Sequence, residues 1–178
     1  MMTLPAQLDA YHIRGLALCQ LTPAHKGQMV ALQEQVMALL PDPAWYFPSE
    51  DWEFDQWLQN GEAIGYLDGD TLCGYAVMTP QSVRGDHSYA QVLGEAEENT
   101  FDFHDVMVSP DYRRRGLHAN FLKLFTEMAR AMGGKAIYAT VAPENGASWR
   151  NFEREGYRCV TTRPAYDGRL RRYYKKEL

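Results

Sequence analysis

Residues 106–119 read VMVSPDYRRRGLHA, and this stretch decides the fold. An apolar strand end (Val106–Val108) leads into a proline turn, three arginines and Gly116. The arginines precede a predicted helix, at the end where the helix dipole is positive and acidic residues are usually preferred. Free backbone N–H groups at a helix N-terminus bind anions, and a glycine lets the backbone approach them closely. The stretch therefore predicts an anion site, with a solvated basic turn as the alternative.

An amphipathic helix is predicted directly after Gly116. Its apolar residues recur at three- and four-residue spacing, which places them on one stripe of a helix. The stripe comprises Leu117, Phe121, Leu124, Phe125, Met128 and Met132. We expect the helix to end at Gly133-Gly134, because glycine commonly follows the last helical turn.

Length and charge limit the class of protein. The 178 residues include 46% hydrophobic and 23% charged side chains with a net charge of −5, which is typical of one globular domain (residues 1–178, core from about residue 13). The acidic balance argues against nucleic-acid binding, which needs a broad basic face; a salt-sensitive RNA contact through Arg113–Arg115 is the remote alternative. The first residues lack a leader pattern, and no run approaches the ~18 apolar residues of a membrane span. We therefore expect a cytoplasmic protein without membrane contacts.

The chain has three cysteines, Cys19, Cys73 and Cys159, which are far apart in apolar, strand-like runs. Their odd number and wide spacing fit neither a disulfide framework nor a metal site. They are predicted to be buried free thiols, and no metal is expected.

Apolar periodicity and turn residues divide the chain into strands and helices. Strands are predicted at Ile13–Leu21, Ala63–Leu67, Thr71–Met78, Phe101–Val108, Ala136–Val141, Tyr157–Thr162 and Leu170–Lys175. Helices are predicted after Thr22-Pro23, from a Ser49 cap to Asn60-Gly61, after Gly116, and over Trp149–Glu155. The least regular stretch is Pro80 to Thr100, with a short apolar island at Tyr89–Leu93. Loops of this length are usually functional or mobile.

The central strand–helix–strand unit implies a parallel pair of strands, and the hairpins imply antiparallel pairs. The predicted fold class is therefore α/β (α+β), with a mixed twisted sheet of about seven strands and helices on both faces.

Two motifs in this order resemble the GNAT superfamily of acyl-CoA-dependent N-acetyltransferases. The first is Val108-x-Pro110-x-x-Arg113-x-x-Gly116, and the second is Asn145-x-x-Ser148-x-x-x-Phe152-x-x-x-Gly156-Tyr157. The resemblance covers the chain from about Ile13 to the C-terminus, although the first half matches only in its pattern of elements.

The resemblance implies acetyl-CoA as the cofactor. In this family the end of the fourth strand lies splayed from the fifth, and its main chain pairs with pantetheine; here these residues are Val106, Met107 and Val108. The pyrophosphate is expected on the loop that follows. The implied contacts there are Arg113, Arg114, Arg115, Gly116, Leu117, His118 and Ala119, and the second motif adds Asn145, Ser148 and Phe152. His118 departs from the family, which usually has Gly or Ala at this position, and its side chain could approach a phosphate.

Acetyl transfer to an amine needs a proton acceptor, because an ammonium group, with a reference pKa near 10.4, cannot attack. Relatives often carry this base on the fourth strand. The best-placed candidate is His104, since histidine titrates near neutrality, and Asp105 and Asp102 come next. A structural role for the histidine is the alternative.

Many relatives supply the proton for the departing thiolate from a tyrosine seven residues after the asparagine of the second motif. This chain has Phe152 there, which cannot donate a proton. Tyr138, Tyr157, the Ser148 hydroxyl or a water molecule are the remaining candidates. A nearby helix N-terminus could also stabilise the thiolate.

The expected function is that of an acyltransferase, a GNAT-type N-acetyltransferase. It moves an acetyl group from acetyl-CoA to a primary amine of a small molecule or peptide by direct attack in a ternary complex. The acidic loop Glu95–Glu98 and the cluster of Trp45, Tyr46 and Trp52 could favour a cationic amine, and aromatic residues of the closing hairpin (residues 166–174) could line the acceptor side. The alternative, suggested by Phe152, is a non-catalytic acyl-CoA-binding or regulatory module on the same fold. The expected oligomeric state is monomer or homodimer.

Overall fold

The structure, a computed structural model, describes residues 2–80, 88–165 and 167–178. Its strands are β1 (Ala17–Gln20), β2 (Ala63–Asp68), β3 (Thr71–Pro80), β4 (Thr100–Val108), β5 (Ala136–Val141), β6 (Arg158–Pro164) and β7 (Leu170–Glu177). Its helices are α1 (Lys26–Ala38), α2 (Asp51–Asn60), α3 (Tyr89–Val92), α4 (Leu117–Ala131) and α5 (Gly146–Arg154). Among the described residues, none of the helices has the length and apolar character that a membrane crossing requires.

The strands form one seven-stranded sheet in the order β1-β2-β3-β4-β5-β7-β6. Only β4 and β5 pair in parallel, through the crossover helix α4, and the other neighbours are antiparallel. The predicted mixed sheet is confirmed. The closing hairpin places β7 inside the sheet and β6 at its edge.

Helices cover both faces of the sheet, as predicted. Phe121 and Phe125 of α4 and Phe152 of α5 pack on one face in the largest apolar cluster. Met29 of α1 and Trp57 of α2 belong to a second cluster on the opposite face. Burial of these side chains is the main favourable contribution to folding.

Several predicted boundaries shift because local caps decide them. The first strand is only Ala17–Gln20 rather than Ile13–Leu21. Ser49 is not the cap of α2, because Glu50 occupies that position and its N–H donates to Glu53. Helix α5 begins at Gly146, three residues earlier than predicted, because the Asn145 side chain accepts a hydrogen bond from the Ser148 N–H at 3.2 Å.

Two burial predictions are wrong. Cys73 is buried, but Cys19 is only partly buried and Cys159 is exposed, because Cys159 lies on the edge strand β6. Met132 is 43% exposed because α4 ends before it, whereas the other residues of the predicted stripe are buried.

The acidic loop before β4 is held to the sheet by its own charges. Glu95 Oε2 pairs with Lys175 and accepts the Tyr138 hydroxyl at 2.7 Å, and Glu98 pairs with Lys135 at 3.3 Å. These carboxylates therefore stabilise the loop, which weakens their predicted role in attracting a cationic amine. The apolar island forms α3, while residues 81–87 of the same stretch lie outside the described residues.

Candidate active site

Strands β4 and β5 separate halfway along β4. They pair only from Thr100 to Phe103, although β4 continues to Val108. The register between β3 and β4 shifts at the same place, with Met78 opposite Phe103 and Val77 opposite Asp105, so His104 is an extra residue in β4. Such a bulge bends its strand. The result is an opening between the two strands, beside the main chain of residues 106–108.

The basic loop after β4 presents free backbone N–H groups. Arg114 and Gly116 adopt left-handed conformations, with φ of 63° and 88°, and α4 starts immediately afterwards. Within the described residues, no protein acceptor is found for the backbone N–H groups of residues 114–119. These groups lie at the positive end of the α4 dipole and next to three arginines. The arrangement can bind an anion with several oxygens.

A cavity of about 750 Å³ lies between this loop, the end of β4, the N-terminal half of α5 and the C-terminal end of α1. It brings together most of the predicted cofactor residues. Those that line it are Val106, Met107, Val108, Arg113, Arg114, Gly116, Leu117, His118, Ala119, Asn145 and Ser148. Arg115 and Phe152 are not among the lining residues. The cavity is also lined by Trp45 and Tyr46, two members of the aromatic cluster that was suggested to favour a cationic amine.

The Arg115 side chain is directed away from this cavity. Its guanidinium donates to the Arg14 carbonyl at 2.7 Å and lies 5.4 Å from the Tyr112 ring centroid. The side chains of Arg113 and Arg114 are therefore the ones that face the cavity.

His118 is a neutral imidazole with an assigned tautomer. Asn151 Nδ2 donates to the Ala147 carbonyl at 2.9 Å and lies 3.1 Å from His118 Nδ1. The contact with the Ala147 carbonyl identifies this atom as the side-chain nitrogen of Asn151, which is a donor. His118 Nδ1 must therefore accept a hydrogen bond from it, and the ring proton is on Nε2. Burial lowers the pKa of His118 to about 4. The predicted approach to a phosphate therefore does not involve a positively charged ring at neutral pH.

Phe152 lies in the core and has no proton to donate. It is 2% exposed, and its ring packs against Phe103, His118, Tyr157 and Tyr174. Apolar packing explains its position next to the cavity wall.

The two tyrosines suggested as proton donors are poorly placed for that role. Tyr157 is 2% exposed, and its burial raises its pKa well above the usual value. Tyr138 is also buried; burial and its hydrogen bond to Glu95 raise its pKa. Neither residue lines the cavity. Their role as acids stays a prediction without geometric support.

The carboxylates and the histidine on β4 have different surroundings. The partly buried His104 ring lies 6.0 Å from the Trp57 ring and 5.8 Å from the Tyr89 ring, and His104 does not line this cavity. Asp102 is 2% exposed and accepts the Tyr89 N–H at 3.2 Å, which is a structural contact. Asp105 is 3% exposed, and burial raises its pKa to about 7. Asp105 is in direct contact with the side chain of Tyr46, which lines the cavity.

Comparison with known proteins gives the class to which this site belongs. The sequence matches the model of the Acetyltransferase (GNAT) family over residues 33–157. The chain therefore belongs to the GNAT family of acetyltransferases, and the predicted resemblance and acyltransferase class are confirmed.

One similar sequence is an uncharacterised protein of Mycobacterium leprae (strain TN). It is 28% identical over 148 residues, which span 82% of this chain and 35% of that protein. The chain thus spans about a third of the length of this relative.

Solved structures share the fold at low sequence identity. The yncA protein of Salmonella typhimurium, solved with its cofactor acetyl-CoA, superimposes with a TM-score of 0.69 at 16% identity, over 93% of this chain and 95% of that one. The ribosomal-protein-S18-alanine N-acetyltransferase of Escherichia coli gives a TM-score of 0.65 at 16% identity, over 91% and 93% of the two chains.

Proposed function

We propose that this protein transfers the acetyl group of acetyl-CoA to a primary amine by direct attack in a ternary complex. The observation that carries the proposal is the row of backbone N–H groups on residues 114–119, which have no acceptor in the described part of the chain and lie beside the opening between β4 and β5. The acetyl-CoA in the Salmonella neighbour supports the same cofactor here. We also propose that residues 1–178 act as one cytoplasmic domain.

Each part of the cavity fits one part of the cofactor. The N–H groups of residues 114–119 and the guanidinium groups of Arg113 and Arg114 suit the pyrophosphate. The main chain of residues 106–108 suits the pantetheine amides, because within the described residues β5 pairs with β4 only as far as Phe103. Asn145 uses its side-chain oxygen to cap α5, so its amide N–H groups are the part that can contact the cofactor.

The transfer needs one proton removed from the amine and one supplied to the thiolate. Asp105 is the better-supported base of the two candidates, because its pKa of about 7 lets it accept a proton near neutrality. His104 remains the second candidate. Because Phe152 cannot supply a proton, the thiolate leaves as an anion and takes its proton from solvent.

The acceptor is a primary amine of a small molecule or a peptide. The E. coli neighbour is named for an alanine of a ribosomal protein, which supports including peptides among the acceptors.

Gly116 gives the sharpest test of the cofactor site. Gly116→Asp places a negative charge where the pyrophosphate is expected and should weaken acetyl-CoA binding about 100-fold, because like charges repel strongly near a protein surface. Gly116→Asn is the matched control: it has nearly the same shape without charge, asparagine tolerates the left-handed conformation, and no atom lies within 4 Å of an added Cβ. It should bind within about tenfold of the wild type. Equal dissociation constants for Asp and Asn variants, measured by calorimetry, would contradict the assignment.

A further inference from the structure

A buried hydrogen-bonded cluster connects Asp105 to the cavity wall. Asp105 Oδ2 lies 2.9 Å from the hydroxyl oxygens of both Tyr46 and Tyr75. The Tyr46 hydroxyl also lies 2.8 Å from Gln33 Oε1. Of these four residues only Tyr46 lines the cavity. Tyr46 therefore connects the buried carboxyl group to the cavity wall.

The orientation of the Gln33 amide is fixed by the backbone of Ser49. Gln33 Oε1 accepts the Ser49 N–H at 2.9 Å, and Gln33 Nε2 donates to the Ser49 carbonyl at 3.2 Å. Gln33 Oε1 is thus an acceptor with no proton of its own. Tyr46 has a single hydroxyl proton but faces two acceptors that carry no proton of their own, Gln33 Oε1 and ionised Asp105 Oδ2. The Ser49 hydroxyl, 3.3 Å from the Tyr46 hydroxyl, can donate to it or accept from it.

Counting protons shows that the Tyr46–Gln33 and Tyr46–Asp105 contacts can both be hydrogen bonds only when Asp105 is protonated. In that state Asp105 donates to Tyr46, Tyr46 donates to Gln33, and Tyr75 donates to Asp105. In the ionised state Tyr46 can satisfy either Asp105 or Gln33, and the other contact has no proton. The cluster therefore favours uptake of one proton at Asp105.

We propose that Tyr46 is the hydroxyl through which Asp105 receives the proton of the acceptor amine, a role that rests on the proposed function. The nitrogen forms a bond to the carbonyl carbon, and the C–S bond breaks with its electron pair going to sulfur. The proton that leaves nitrogen binds the Tyr46 oxygen while the Tyr46 proton moves to Asp105 Oδ2. Solvent then takes the proton from Asp105 and supplies one to the thiolate, so atoms and charge balance.

The charges around Asp105 determine the pH at which this relay works. Burial is the main cause of its raised pKa of about 7; Glu53 of α2 raises it further, while the hydroxyls of Tyr46 and Tyr75 lower it. Gln33 of α1 is uncharged. The relay needs the ionised carboxylate, so kcat should rise as the pH increases through about 7.

The test compares two substitutions that remove a hydroxyl from the same oxygen of Asp105. Tyr46→Phe should lower the high-pH plateau of kcat by about 100-fold or more, the usual contribution of a positioned base, with the KM for acetyl-CoA unchanged. Tyr75→Phe removes the hydrogen bond between Asp105 and Tyr75, a residue that does not line the cavity. It should keep the plateau within about threefold of wild type and shift the acid limb of the pH profile upward, because a bond to the charged form is lost.

The possible outcomes are distinct. If Tyr46→Phe keeps the wild-type plateau, or if both variants lose it equally, the relay is contradicted while acetyl transfer stands. If the wild type itself releases no thiol with any amine, the proposed transfer fails and the relay fails with it.

A stability measurement checks the protonation of Asp105 without activity. Folding raises the pKa of the Asp105 carboxyl group from 3.8 to about 7, so the folded state binds this proton more tightly than the unfolded state. The free energy of unfolding contributed by Asp105 should therefore decrease as the pH rises from about 4 to 7. Asp105→Asn should remove this decrease in urea titrations, and an unchanged pH dependence would contradict a buried proton at Asp105.

Discussion

Asp105 shows how burial can change the choice of a functional residue. From the sequence, His104 was the preferred base because its reference pKa is near neutrality. The structure encloses Asp105 between side chains 59 and 30 residues away along the chain, those of Tyr46 and Tyr75. No local pattern predicts these contacts. Burial among these side chains raises the pKa of Asp105 to about 7, although hydrogen bonds from the two hydroxyl groups lower it.

Gln33 and Tyr46 were missed as partners of this site for the same reason. Tyr46 was predicted only as a member of an aromatic cluster, and Gln33 gave no signal because a buried amide on a helix resembles a surface residue in sequence. Its burial, at 5% exposed, depends on the backbone of Ser49.

The arginines of the loop also differ in ways that the sequence does not show. Arg114→Ala should weaken acetyl-CoA binding by about tenfold. A charge-assisted hydrogen bond to phosphate contributes about 1.5–3 kcal/mol, and exposure of the arginine to solvent reduces this contribution. Arg115→Ala removes the same charge, but its side chain is engaged with Arg14 and Tyr112, so binding should change less than about threefold. Calorimetry at one low ionic strength gives both values. A larger effect at Arg115 would show that its side chain turns toward the cofactor.

Strand β4 is the element on which the site depends, and its bounds were predicted within one residue at the N-terminal end. Its bulge at His104 was not predicted on the basis of residue pattern, because a bulge is defined by the register of the partner strand β3. The family resemblance supplied the expected separation of β4 from β5, and the structure confirms it.

The start of α4 is held against β3 by a glycine contact. A Cβ added at Gly74 would lie 2.9 Å from Leu117 Cδ2 and 3.0 Å from the Met107 carbonyl oxygen. Gly74→Ala should therefore lower the free energy of unfolding by about 1–3 kcal/mol, as overpacking does. Gly27→Ala, a control in helix α1 with no atom within 4 Å, should raise it by up to about 1 kcal/mol. Urea denaturation measures both, and equal effects would refute the close packing at Gly74.

At the scale of the whole molecule, the sequence predicts the order of elements well because apolar periodicity and turn residues are local signals. The insertion of β7 between β5 and β6 is a long-range pairing, and periodicity alone does not predict it. The exposure of Cys159 follows from that order, since β6 becomes an edge strand. The anion-binding signals of the predicted cofactor loop lie within one short segment, whereas the proposed proton relay joins Asp105 of β4 to Tyr46 in the segment before α2.

The central claim is that the whole chain transfers acetyl groups from acetyl-CoA held at the basic loop. The most direct measurement is thiol release from acetyl-CoA in the presence of a broad panel of small-molecule amines and peptides with free N-termini, with product mass as confirmation. We predict acceptor-dependent thiol release by the wild type and its loss in Gly116→Asp. Saturable acetyl-CoA binding with no acceptor raising thiol release above hydrolysis would contradict transfer and favour a non-catalytic acyl-CoA-binding module.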